Sequence, residues 1–259
     1  MGYDRNGGSK MKALMLELYK CRRRRMPLIV LAMAGLLCLW MLWAFRDVTG
    51  EELAQGYQTM LYQYPLLNAI VLPVLVCLLV SRLCDMEHRG AGWKQLRTME
   101  DAGQLYDAKF LCAALHMAAA IGIQIGFMLL YGKYRGFGNL PQASTFLLFF
   151  LSQLLTSLFL ILLIQMLAVR YVNQFVPLVA GLIAGLLGLM SMFFSPWVMR
   201  FVPSAYYGLL STVRMDWERA TRIVTYYDVP FSVPDCLVLI AACVAVYVIG
   251  RKKFVASEA

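Results

Sequence analysis

The sequence predicts an all-α, polytopic membrane protein with six transmembrane helices. Three observations carry that prediction. The 259-residue chain is 61% hydrophobic, with a mean hydropathy of +0.64, and only 15% of it is charged. Soluble domains lie nearer half apolar. Its apolar residues collect in six runs: Met26–Phe45, Pro65–Ser81, Phe110–Tyr131, Thr145–Val169, Phe175–Phe194 and Val233–Gly250. A helix crosses a bilayer in ~20 residues. The basic residues, finally, fall mainly in alternate connections between the runs.

The N-terminal 25 residues form a unit of their own. Residues 1–9 read as a tail. From Met11 to Arg25 the pattern is amphipathic, with Met11, Leu14, Met15, Leu18 and Tyr19 on one helical face. Such a helix suits an elbow lying on a membrane surface, and Arg22, Arg23, Arg24 and Arg25 mark the headgroup level beside it. No small-residue cleavage site follows the first run, so a cleavable signal peptide is not expected.

Residues 26–259 make the membrane domain. The first, third, fourth and fifth runs have the length to span. The second carries Pro65 and Pro73, which predict a kink, tolerated where neighbours take up the freed carbonyls. The sixth starts at Val233, behind a Ser232-Val-Pro-Asp235 cap, and Arg251 can snorkel at its far end. Two connections are long. Residues 82–109 are polar and basic, and Trp93, Leu96 and Met99, three apart, line one side of a short helix. Residues 195–232 are aromatic and broken by Pro196 and Pro203, which predicts one or two short helices that dip into the membrane and return.

With the N-terminus inside, the inner segments hold 17 of the 24 Lys and Arg residues and eight of the 15 acidic ones. The whole net charge of +9 then lies on the cytoplasmic face. The positive charge therefore needs no nucleic-acid partner.

Chemistry-bearing motifs are scarce. There is no G-x-x-x-x-G-K-[ST] phosphate loop and no H-E-x-x-H metal motif. Seven Cys show no C-x-x-C pair, and two His are too few for a His-rich metal centre, so no metal site is expected. Glu51-Glu52 resembles the paired glutamates of CAAX-type intramembrane proteases, but the Arg expected four residues on is absent. Within the spans the polar residues are neutral, apart from His116. Asn68, Gln124, Gln153, Thr156, Ser157 and Gln165 either line a pathway or hydrogen-bond between helices. Small-residue faces, Gly122/Gly126, Gly181/Gly185 and Ala180/Ala184/Gly188, suit close helix contact.

These features together resemble the permease subunit of type-2 ABC exporters. The resemblance rests on the elbow, Glu17-Leu-Tyr-Lys-Cys-Arg-Arg-Arg-Arg-Met-Pro27, on Glu87-x-x-Gly90-x-Gly92-Trp93-Lys94-Gln95-Leu96-Arg97-Thr98, on Leu105-Tyr-Asp-Ala-Lys109-Phe, and on the long loop before the last span. Among these exporters the chain is most similar to the small permeases of lantibiotic-immunity and bacitracin-resistance transporters. The resemblance implies a cytoplasmic coupling helix between spans two and three, docked in a groove of the ATPase. Glu87, Gly90, Gly92, Trp93, Lys94, Gln95, Leu96 and Arg97 would form it. It also implies two ATPase subunits carrying ATP and Mg, no cofactor on this chain, and a second permease, identical or related. The membrane would be the bacterial cytoplasmic one, with both termini inside, and the cargo an amphipathic antimicrobial peptide. One departure stands out. Met99-Glu-Asp-Ala-Gly103 occupies the place of a Leu-Pro-x-Ser-Arg-like continuation. Two other function classes remain open from the residues alone: a membrane sensor or scaffold that holds peptide at the outer loop, and an intramembrane enzyme.

Overall fold

The computed structural model describes residues 5–48, 50–88, 102–217 and 224–256. Helix α1 (Arg5–Arg23) is followed by α2 (Met26–Ala44), the short α3 (Glu51–Ala54) and α4 (Gly56–His88). Then come α5 (Ala102–Arg135), α6 (Ala143–Arg170) and α7 (Phe175–Ser191). A connecting region holds α8 (Pro196–Met199), a 3-10 turn at Pro203–Ala205, α9 (Tyr206–Leu209) and strands β1 (Val213–Trp217) and β2 (Val224–Asp228). Helix α10 (Val233–Ala256) closes the described chain.

Five of these helices, α2, α4, α5, α6 and α10, are long and apolar enough to cross a membrane. Together with the shorter apolar α7 they match the six runs. The fifth run, expected to span with ease, forms the shortest of the six helices. Its 17 residues lie at the lower limit of a span, because the helix ends at Ser191 in a tight turn and leaves Phe193 and Phe194 outside. Helices α4 and α5 go the other way. At 33 and 34 residues they are roughly 50 Å long and overrun the apolar runs at both ends.

The elbow is a left-handed turn. Arg25 has φ 57°, a conformation unusual for a side chain other than Gly or Asn, and Pro27 follows in the first turn of α2. Helix α1 folds back on the bundle with the stripe Ala13, Glu17 and Cys21, all buried. Its apolar face is divided: Leu14 and Leu18 pack on the core, while Met15 is 61% and Tyr19 66% exposed.

Helix α4 is the central post, and α7 lies against it through glycine. A Cβ on Gly185 would come within 2.8 Å of Ile70 O, and one on Gly188 within 2.8 Å of Ala69 O. Pro73 explains the fit. It has no N–H to give to the carbonyl four residues back, which is Ala69, and its ring needs room there. The helix continues through both Pro65 and Pro73. The Gly181/Gly185/Gly188 face is thus an internal seam. By contrast, a Cβ on Gly122 or Gly126 would meet nothing among the described residues.

The connection between α7 and α10 departs in part from expectation. Short helices do enter the bundle: Tyr206, Tyr207, Leu209 and Leu210 are buried. Beyond them the chain forms an antiparallel hairpin, with Val213 opposite Asp228 and Met215 opposite Tyr226. Two β-branched residues followed by two aromatics in Val224-Thr-Tyr-Tyr-Asp228 favour the strand. At this end of the bundle Phe45, Tyr57, Tyr131 and Phe137 form an edge-to-face aromatic knot. Helix α10 starts at Val233, where Ser232 Oγ donates to Asp235 Oδ2 at 2.6 Å and Arg200 Nε to Asp235 Oδ1 at 2.6 Å.

Candidate coupling site

Glu17 stands in the middle of the buried stripe of α1, one residue from the end of α4 stands Glu87, and two turns into α5 stands Lys109. The fold brings them into one cluster. Lys109 Nζ donates to Glu17 Oε2 at 3.2 Å, to Glu87 Oε1 at 2.9 Å and to Leu83 O at 2.9 Å. Lys20 Nζ donates to Glu17 Oε1 at 2.7 Å and to Glu87 Oε1 at 3.1 Å. Two carboxylates and two ammonium groups alternate around a neutral square that ties α1, α4 and α5 together.

Burial makes this square consequential. Glu17, Glu87 and Lys109 are each 2% exposed or less, whereas the Lys20 side chain keeps 31% of its surface. A buried ion is costly unless opposite charge and hydrogen bonds offset its lost hydration. Burial alone would raise the Glu87 carboxyl. Lys109 and then Lys20, by charge and by hydrogen bonding, overcome that and hold it below the ordinary carboxylate value. For Lys20 burial pulls downward, but the bond and charge of Glu17, helped by Glu87, leave it raised. Beside the square, Cys21 Sγ and Cys112 Sγ of α1 and α5 are 3.3 Å apart.

The same turns of α5 hold the rest of the bundle. Asp107 accepts from Tyr247 Oη at 2.7 Å and from Arg251 Nε at 3.1 Å, both on α10. Tyr106 O accepts from Gln165 Nε2 of α6 at 3.0 Å. The Tyr106 ring lies against Gly250, where a Cβ would come 2.5 Å from its hydroxyl. Within four residues, 106–109, the helix that leaves the 89–101 segment contacts α1, α4, α6 and α10.

Of the residues expected to couple to an ATPase, Glu87 is in this cluster. Gly90, Gly92, Trp93, Lys94, Gln95, Leu96 and Arg97 lie outside the described residues. Arg22, Arg23, Arg24 and Arg25 are exposed in the elbow turn. Glu17, Lys20, Asp107 and Lys109 stand in the sequence analysis only within longer motifs, Arg251 only as a snorkelling residue and Tyr247 not at all; none was expected in a cluster. The available signal was weak: a Glu17/Lys20 pair three apart, which usually marks a solvated face.

The neutral polar residues gather elsewhere. Asn68 Nδ2 donates to Gln124 Oε1 at 3.0 Å and to Gln153 Oε1 at 2.9 Å, and Gln124 Nε2 donates back to Asn68 Oδ1 at 3.0 Å. Gln153 Nε2 donates to Tyr207 O at 3.0 Å, and Ser157 Oγ is 2.9 Å from Tyr207 Oη. This knot joins α4, α5 and α6 to the inserted α9. Thr156 only bonds back to Ser152 O at 2.9 Å, and Gln165 belongs to the Tyr106 contact above. All these groups are buried and hydrogen-bonded, and for all but Thr156, which bonds within its own helix, the bond runs between elements. His116 is likewise satisfied: its Nδ1–H donates to Cys112 O at 2.8 Å.

No curated protein matches the chain. The family model of the ABC-2 family transporter protein matches residues 13–188, from the buried stripe of α1 to the last turn of α7 and more than half of the chain. The chain therefore belongs to the ABC-2 transporter family, as a non-catalytic transmembrane permease whose ATP is hydrolysed by a separate ATPase subunit.

Proposed function

We propose that this permease expels an amphipathic antimicrobial peptide of the lantibiotic or bacitracin-like kind from the bacterial cytoplasmic membrane, with both termini inside. It acts with two ATPase subunits, which carry ATP and Mg, and with a second permease, identical or related. Residues 82–109, helical at both ends where α4 finishes and α5 begins, form the cytoplasmic coupling segment, with Gly92–Arg97 as its docking helix and Glu87 at its stem. The single observation that supports this reading best is the ionic square. It ties the helix before the loop and the helix after it to each other and to α1. A push delivered between residues 88 and 102 therefore reaches three helices at once. The exposed part of the apolar face of α1 and the exposed Arg22–Arg25 suit a helix held at the inner membrane surface.

Trp93 and Leu96 supply the apolar anchor, and Lys94 and Arg97 meet carboxylates on the ATPase. Truncating a buried Trp anchor costs ~2 kcal/mol or more. Co-purification of the cognate ATPase with the Trp93→Ala, Leu96→Ala double variant tests the docking role. The expected outcome is loss of association with the permease still folded. Unchanged association sinks the assignment.

A further inference from the structure

At the hairpin end of the bundle a cavity of about 530 Å³ opens between α2, α4 and β2. That is within the ~300–1,000 Å³ range of small-ligand sites. One wall is apolar, made by Ala44, Phe45 and Val48. The facing wall is polar: Gln55 just before α4, then Thr59 and Gln63 at four-residue steps in its first turns, with Glu52 on α3 ahead of them. Strand β2 forms the third side. Its Tyr226 ring packs on that of Tyr62, 5.6 Å between centroids, which holds the hairpin over the cavity.

Two features of the polar wall ask for a donor. Gln63 Oε1 is buried with no hydrogen-bond partner among the described residues, a state that costs free energy until something donates to it. Glu52 is exposed at the rim and makes no ion pair among the described residues. A buried lone acceptor, a carboxylate at the mouth and an apolar wall opposite together fit one kind of group.

We propose that this cavity binds an alkylammonium group, a cation carried on an apolar stem. The ammonium lies between Glu52 and Gln63 Oε1, and the stem rests on Phe45 and Val48. Two sources carry that chemistry: a lysine side chain of an amphipathic peptide and the headgroup of an aminophospholipid. In the proposed export cycle the cavity is on the outer face, where it would receive the cargo's cationic side chain. That role rests on the proposed function, but the binding itself does not.

The test uses the full chain in phosphatidylcholine nanodiscs, without ATPase, and a fluorescent amphipathic Lys/Leu peptide, with empty nanodiscs as blank. Saturable binding is expected, weakened about tenfold by Glu52→Gln or Gln63→Leu, which corresponds to ~1.4 kcal/mol. The same peptide with its lysines acetylated should not compete. Gln63→Leu removes an unpaired acceptor, so its Tm should hold or rise while binding falls; a merely structural role would lower Tm instead. Adding phosphatidylethanolamine to the nanodisc separates the sources. A fall in peptide affinity assigns the cavity to the lipid headgroup as well, and no change assigns it to the peptide. Equal binding by the two variants and the wild type, or by acetylated and free peptide, overturns the proposal. Because no ATPase is present, failure here is distinct from failure of the docking test.

Discussion

Two buried polar clusters share helices α4 and α5, and they are built from opposite chemistry. The Asn68–Gln124–Gln153–Tyr207 knot is neutral throughout, while the Glu17–Lys20–Glu87–Lys109 square is charged throughout. Their positions explain the difference. The knot joins spans in the interior of the bundle, where an ion would be costly and an amide is satisfied by another amide. The square lies where spans end and Lys20 still reaches the surface. It also joins elements that lead to a long connection, whereas the knot joins spans and an inserted turn. A neutral knot is indifferent to pH and salt. An ionic square is rigid while complete and fails sharply when one member leaves.

That contrast sets an order of effects. Lys109→Met should be the most damaging change in either cluster, since it leaves Glu17 and Glu87 buried and facing each other. The expected loss is about 3–5 kcal/mol, read by thermal or denaturant unfolding of the purified permease. Gln153→Leu removes the amide that bridges Asn68 to Tyr207 and should cost less, about 1–2 kcal/mol in the same assay. If the two values came out reversed, the comparison would fail.

Acid sharpens it further. The Glu87 carboxyl is held below its ordinary value of 4.5, so its contribution is present above that pH and is lost as pH falls through the lowered one. Lys20 is raised above 10.5; its contribution is present below that value and lost only as pH rises through the raised one. Between the two the square should be flat with pH. Below about 4.5 the Tm of the wild type should fall, and Glu87→Gln should remove part of that fall. Gln153→Leu should leave the slope unchanged.

Much of this architecture is legible in the sequence, because a span announces itself by local composition. All six apolar runs became helices, and the Ser232–Asp235 cap stands where α10 begins. The misses share a cause. The ends of α4 and α5 are polar, and they stay helical through contacts with distant elements: Gly56 against Phe137, Lys109 against Glu17. The β-hairpin carries β-branched and aromatic residues that are hard to separate from an aromatic interfacial loop until both strands are paired. The square was hidden for a similar reason. Glu17 on the polar face of an amphipathic helix reads as solvated until Lys109, 92 positions away, is placed beside it.

Helix α1 grips the bundle with Ala13, Glu17 and Cys21, flanked by Leu14 and Leu18, and turns an oily side of Met11, Met15 and Tyr19 away. On the proposed placement at the inner membrane surface, that oily side stays in lipid whether or not the helix is docked. Undocking would forfeit the ionic contacts and the packing of Ala13, Cys21, Leu14 and Leu18, while the membrane keeps the freed helix at the right depth. Its search for the square is confined to a plane, hinged at Arg25, so recapture is a short lateral swing rather than a diffusion from water.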